Sequence, residues 1–68
     1  MTKFEKVRFQ LHLKTFYGDY LTIDKEGRKY LIKRVFTNDV ITEYKKLDDI
    51  IKDYQLNIKN NRRDYYNI

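Results

Sequence analysis

Apolar and polar side chains alternate along residues 7–14: Val7, Phe9, Leu11 and Leu13 are separated by Arg8, Gln10, His12 and Lys14. A period of two marks a strand with one buried face, so the alternation predicts an N-terminal strand. Thr15-Phe16-Tyr17-Gly18-Asp19 breaks the pattern, and Gly18 can adopt a left-handed conformation there, which predicts a turn. A second strand is expected over residues 20–24, with Leu21 and Ile23 in one phase. Lys25-Glu26-Gly27-Arg28 has the polar, glycine-containing character of a hairpin link and leads into a third strand over residues 29–36. Turning Tyr30 and Ile32 inward would also turn Arg34 inward. A bulge near Lys33-Arg34 would shift the phase and leave Tyr30, Ile32 and Val35 facing the core.

Beyond residue 36 the period lengthens. Val40, Tyr44, Leu47, Ile51 and Tyr54 fall within about 40° of one meridian at roughly 100° per residue, the mark of an amphipathic helix. Thr37 suits its N-cap, Phe36 and Ile41 suit a hydrophobic staple, and Asp39 suits the first turn. Asp48 and Lys52 are spaced as an i,i+4 pair. The stripe ends near residues 54–57, and Leu56-Asn57-Ile58 offers either a short fourth strand or a last frayed turn.

The expected fold class is therefore α+β: a three-stranded antiparallel sheet (a meander) with one C-terminal helix packed on one face. Residues 1–58 would form a single β-β-β-α domain and residues 59–68 a basic, tyrosine-rich tail. The covered face would take Val7, Phe9, Leu11, Leu13, Leu21 and Ile23. The open face would take Lys6, Arg8, Gln10, His12, Lys14, Tyr20 and Thr22. Over residues 4–54 this element order resembles the arm-type DNA-binding domains of phage and transposon integrases. Residues 29–37, a basic strand running into a Thr-capped helix, are the nearest local echo. The resemblance implies a basic sheet laid in the major groove, and no family residue is carried over.

Composition narrows the chemistry. The chain of 68 residues has no Cys, so neither a disulfide nor a thiolate metal site can hold it together. A chain this short buries only about 60% of its unfolded surface, and seven Tyr and four Phe supply much of the apolar area. Ala, Pro, Ser and Trp are absent, while Lys, Asn, Ile, Tyr and Phe make up nearly half of the residues. That bias follows A/T-rich codons and fits a gene from an AT-rich bacterium, or from a phage or mobile element living in one. No apolar run approaches a membrane span, and residues 1–6 lack the apolar stretch of a signal peptide, so a cytoplasmic protein without membrane contact is expected.

Enzymatic chemistry has little to stand on. There is no Ser or Cys nucleophile, and the single His12 falls in the polar phase of the expected strand, away from a positioned partner. Gly18 and Gly27 stand alone, with no phosphate-loop pattern. Asp49 and Asp53 on one helix face make no closed cation site. No enzyme, metal or cofactor is expected.

Charge distribution is the informative feature. Residues 1–36 carry a net charge of +5, residues 37–58 of −2, and residues 59–68 of +2. A basic sheet half with an acidic helix half points to a polyanion as partner. The candidate nucleic-acid-binding residues are Lys6, Arg8, His12, Lys14, Tyr20, Arg28, Lys29, Lys33, Arg62 and Arg63, with Tyr65 and Tyr66 beside the last two. The alternative is a protein-binding inhibitor or regulator of a nucleic-acid-processing enzyme, of the anti-CRISPR or anti-restriction kind. In that case Glu43, Asp48, Asp49 and Asp53 would pose as phosphates and tyrosines would anchor the interface. Homodimerisation through a sheet edge or through Tyr65, Tyr66 and Ile68 would relieve the marginal core.

Overall fold

The computed structural model describes residues 1–58. Its element order is α1 (Lys3–Thr15), β1 (Leu21–Glu26), β2 (Lys29–Arg34), β3 (Val40–Tyr44) and α2 (Leu47–Tyr54). The α+β class and the three-stranded antiparallel sheet in the order β1-β2-β3 stand as expected. The number and placement of the helices do not. There are two, and the first occupies the segment expected to be the N-terminal strand.

Two local features make residues 3–15 helical. Thr2 and Glu5 form a capping box: the Glu5 N–H donates to Thr2 Oγ1 at 3.2 Å, and the Thr2 N–H donates to Glu5 Oε1 at 3.1 Å. The Thr2 N–H and the Thr2 hydroxyl, both donating to Glu5 Oε1, hold the exposed Glu5 carboxyl below its ordinary pKa. Phe4, Val7 and Leu11 are spaced i, i+3, i+7 and share one helical face, which lies on the sheet. The alternation at Val7, Phe9, Leu11 and Leu13 arises because α1 is apolar on two opposite faces. Val7 and Leu11 are fully buried, whereas Phe9 and Leu13 point to the outside. Phe9 and Leu13 therefore leave the covered set, and Lys6, Arg8, Gln10, His12 and Lys14 belong to a helix rather than to an open sheet face.

β1 and β2 pair in the register Leu21↔Arg34 to Glu26↔Lys29, which leaves Gly27 and Arg28 as the hairpin loop. Gly27 has φ +62°, the left-handed first position that a two-residue loop reserves for glycine. Gly18 has no positive φ. The left-handed residue in the α1–β1 connection is Tyr20, at φ +45°, and it precedes β1 rather than beginning it. Holding a tyrosine there costs about 1–3 kcal/mol. Hydrogen bonds around Thr15 offset that cost: its carbonyl accepts from Gly18 N–H at 3.0 Å and Tyr20 N–H at 2.7 Å, and its hydroxyl accepts from Leu21 N–H at 2.8 Å.

The helix expected from Thr37 onward divides into a turn, a strand and a shorter helix. Asn38 is left-handed at φ +63°, its N–H donates to the Arg34 carbonyl at 2.8 Å, and the Arg34 N–H donates to the Asp39 carbonyl at 3.0 Å. This closes a second hairpin, so Thr37 caps no helix, Asp39 lies in no first turn, and Phe36 and Ile41 form no staple. Val40-Ile41-Thr42 is a β-branched run that favours the strand. A register shift falls between Ile32 and Lys33, whose partners are Thr42 and Val40. The extra residue is Ile41, so the bulge expected on β2 is carried by β3. Tyr30 and Ile32 face the core as expected, whereas Val35 lies beyond β2 and is exposed.

In α2 the fully buried residue is Ile50, with Leu47, Ile51 and Tyr54 half-buried around it. Gln55 ends the helix in a left-handed conformation, and Leu56 packs into the core without forming a fourth strand. Asp48 pairs with Lys3 rather than acting through Lys52. At the other end Lys14 Nζ donates to the Gln55 carbonyl at 3.0 Å, a cation against a helix C-terminus. These two contacts set α1 and α2 side by side in the same direction on one face of the sheet. Between helices and sheet sits the core: Val7, Leu11, Leu21, Ile23, Ile32, Ile50 and Leu56. The expected tail at residues 59–68, with Arg62, Arg63, Tyr65, Tyr66 and Ile68, lies outside the described residues.

Two leucines two positions apart separate the helix from a strand. Leu11→Ala should cost about 2–5 kcal/mol of stability or abolish folding, because it opens a cavity in the core. In dilute protein, where the chain is monomeric, Leu13→Ala should change stability by no more than about 0.5 kcal/mol, because Leu13 is more than half exposed there. Urea denaturation of both variants checks this, and equal losses would contradict the two-faced helix.

Candidate interaction surface

Among the described residues, the predicted cations are spread over α1, the β1–β2 hairpin loop and the sheet. Lys29 and Lys33 lie on the sheet face turned away from the helices, and both are paired there. Lys33 Nζ meets Asp24 at 2.8 Å across β1 and β2, and Lys29 Nζ meets Glu43 at 3.2 Å across β2 and β3. Leu31 stands between the two pairs, opposite Asp24 on one side and Glu43 on the other, and is buried without belonging to the main core. The lysine stems can cover it while their charged ends stay in water. Exposed pairs of this kind contribute at most about 1 kcal/mol each. Their effect on the surface is larger, because the open sheet face becomes charge-balanced.

Lys14 is committed to the end of α2, and Arg28 is exposed at the hairpin loop. Lys6 and Arg8 lie on the N-terminal half of α1, Lys6 half-buried and Arg8 exposed. The acidic set is also divided. Glu43 and Asp48 are held in ion pairs, Asp53 accepts a hydrogen bond from the Tyr44 hydroxyl at 2.9 Å, and Asp49 is exposed in the first turn of α2. Burial and the Asp53 contact push the Tyr44 phenol up to about 12. Burial also raises the neighbouring Tyr54.

What the structure does assemble is aromatic. Tyr20 sits at the centre of a chain of rings, 5.5 Å from His12, 5.2 Å from Phe16 and 5.4 Å from Phe36, with Tyr17 5.0 Å from Phe16. Its left-handed backbone folds the end of α1 back toward the β2–β3 turn, which carries Phe36. Phe9, Leu13 and Phe16 continue this cluster along the outer side of α1 at i, i+4, i+7. They are 52%, 55% and 53% exposed, and Tyr17 and Phe36 are 97% and 84% exposed. Taking large aromatic side chains at about 150–250 Å² and scaling by exposure, the patch offers roughly 700 Å². The largest apolar patch on an ordinary monomer is about 300–600 Å².

His12 lies at the patch border. Its Nε2 is buried with no hydrogen-bond partner among the described residues, so it is joined to no base or nucleophile through that atom. Met1, Glu5, Arg8, Phe9 and His12 line a shallow hollow of about 260 Å³, smaller than the roughly 300–1,000 Å³ of small-molecule sites. Among the described residues no group of His, Asp and Glu is placed to hold a metal ion, and no helix is long and apolar enough to cross a membrane.

Sequence reasoning named His12 and Tyr20 and missed Phe9, Leu13, Phe16, Tyr17 and Phe36 as surface residues. The capping box at Thr2 and Glu5 was the available signal, since a helix starting there turns Phe9 and Leu13 away from Val7 and Leu11. No family model matches the chain, and no curated protein or solved structure matches it.

Burial, with a smaller contribution from the nearby Arg8 charge, holds the His12 imidazole below its ordinary pKa of 6.5. As pH falls the unfolded chain therefore takes up the proton first. Stability from this group is complete above the unfolded value and declines as pH falls below it toward the folded value. The chain has a single histidine, so an NMR pH titration reads it without ambiguity. A midpoint below 6.5 is expected, and one at or above 6.5 would contradict the buried geometry.

Proposed function

We propose that this chain is a non-enzymatic protein-binding module of regulatory type, acting through the aromatic patch on the outer side of α1 and the β2–β3 turn. The observation that carries this reading is the patch: five large apolar side chains, each more than half exposed, with Phe16, Tyr17 and Phe36 linked by ring contacts that run through Tyr20 and with Phe9 and Leu13 on the same side of α1 as Phe16. A small protein exposes such a surface at a cost in solubility, and its usual use is to bury it against a partner. Aromatic anchors with arginine at the border are the residues that dominate protein interfaces. Arg8 lies at this border, next to Phe9 and His12.

Nucleic acid is the second reading, favoured by the net charge of +5 and by exposed rings able to stack on bases. It loses ground because Lys29, Lys33 and Lys14 are engaged within the domain. Each phosphate contact would make the logarithm of affinity fall by about 0.9 per unit of log salt.

Capture from the source cell, with and without nuclease, separates the two. Protein binding through the patch predicts nuclease-resistant capture that Leu13→Asp abolishes and Arg8→Glu weakens only modestly. Nuclease-sensitive capture that survives Leu13→Asp and is lost in Arg8→Glu would replace this reading with the nucleic-acid one.

A further inference from the structure

We propose that the protein covering the outer stripe of α1 is a second copy of this chain, joined through an antiparallel pair of α1 helices about a twofold axis near Leu13. The inference rests on the protein-binding reading above and names its partner.

Spacing is the first ground. Phe9, Leu13 and Phe16 repeat at four and three residues, the pattern by which one helix packs on another, and Phe16 keeps right-handed helical geometry at the end of α1. Area is the second. Phe9, Leu13 and Phe16 supply roughly 300 Å² per copy, and Tyr17 with Phe36 at the C-terminal end of the stripe bring this to roughly 700 Å², close to the 800 Å² or so per partner of a stable interface. Charge is the third. The charged residues bordering the stripe, Glu5, Lys6 and Arg8, lie in the N-terminal half of α1 and sum to one positive charge, while its C-terminal half is bordered by Gln10, His12 and Tyr17. Antiparallel pairing places the cations of one copy against the uncharged end of the other and opposes the helix dipoles favourably. Parallel pairing would set Arg8 against Arg8. The antiparallel arrangement is closed and isologous, with Phe9 of each copy toward Phe16 of the other, so it ends at a dimer.

Self-pairing also answers a need of the fold. A 68-residue chain without disulfides has a small core, and assembly is one of the few remaining sources of stability. The β3 edge is a poorer route, because that strand is only five residues long and its bulge at Ile41 disturbs the pairing line.

Sedimentation of the full chain at about 5 µM and about 500 µM tests the proposal, since a self-association must respond to concentration. The expected result is a rise from the monomer mass of 8.5 kDa toward twice that value. Leu13→Asp and, separately, Tyr17→Lys should each weaken association by at least about tenfold while circular dichroism shows an unchanged fold. Both positions are exposed in the monomer, so neither variant should unfold it. A constant monomer mass across that range, or undiminished association in both variants, would overturn the proposal. A monomer whose nuclease-resistant capture still depends on Leu13 overturns self-pairing alone, whereas a monomer with nuclease-sensitive capture overturns the protein-binding reading as well.

Discussion

The seating of Val7 and Leu11 against Ile23 and Ile32 is the contact on which the rest of this molecule depends. All four side chains are fully buried, and each contributes about 1.5–3 kcal/mol by leaving water. The chain has no cysteine, and the described residues offer no metal cluster, so this packing must hold a three-stranded sheet that would be marginal alone. It also fixes the rotation of α1. Once Val7 and Leu11 face the sheet, Phe9, Leu13 and Phe16 must face away from it. The exposed stripe is a geometric consequence of the core rather than a separate feature.

The two faces of the sheet solve the same problem differently. On the helix side, Leu21, Ile23 and Ile32 are covered by a layer of helices. On the other side no described element provides a layer, and Leu31 is shielded instead by two lysine–carboxylate pairs on its flanks. Lys29 and Lys33, which the sequence offers as part of a polyanion-binding surface, are each paired with a carboxylate on the flanks of this leucine. Among the described residues the outer side of α1 has no comparable shield, and this difference makes it the candidate surface.

Much of the sheet was legible in the sequence. The hairpin at Gly27, the phases of Leu21, Ile23 and Ile32, and the need for a bulge all follow from local patterns that tertiary packing leaves intact. The N-terminal helix was hidden because its two apolar stripes interleave: Phe4, Val7 and Leu11 on one side, and Phe9, Leu13 and Phe16 on the other. Their superposition gives a false period of two. The capping box at Thr2 and Glu5 gave the correct answer, against the alternation. The stripe over residues 40–54 misled for the opposite reason, because Val40 and Tyr44 of β3 fall by coincidence on the meridian of Leu47, Ile51 and Tyr54 in α2. Thr37-Asn38-Asp39 carried the turn signal, since Asn tolerates the left-handed conformation that Asn38 adopts, but the same residues also suit a helix start. The site was the least legible part, since it consists of those residues whose exposure contradicts their hydrophobicity. Disagreement of that kind between local pattern and fold is where function tends to lie.

The most direct test of the account is NMR of the free protein, reading Cα chemical shifts over residues 3–15 together with contacts from the methyl groups of Leu11 and Leu13. Helical shifts throughout, with Leu11 close to Ile23 and Ile32 and Leu13 close to neither, are the predicted result. Extended shifts over residues 7–13, or Leu11 and Leu13 both contacting the sheet, would contradict it.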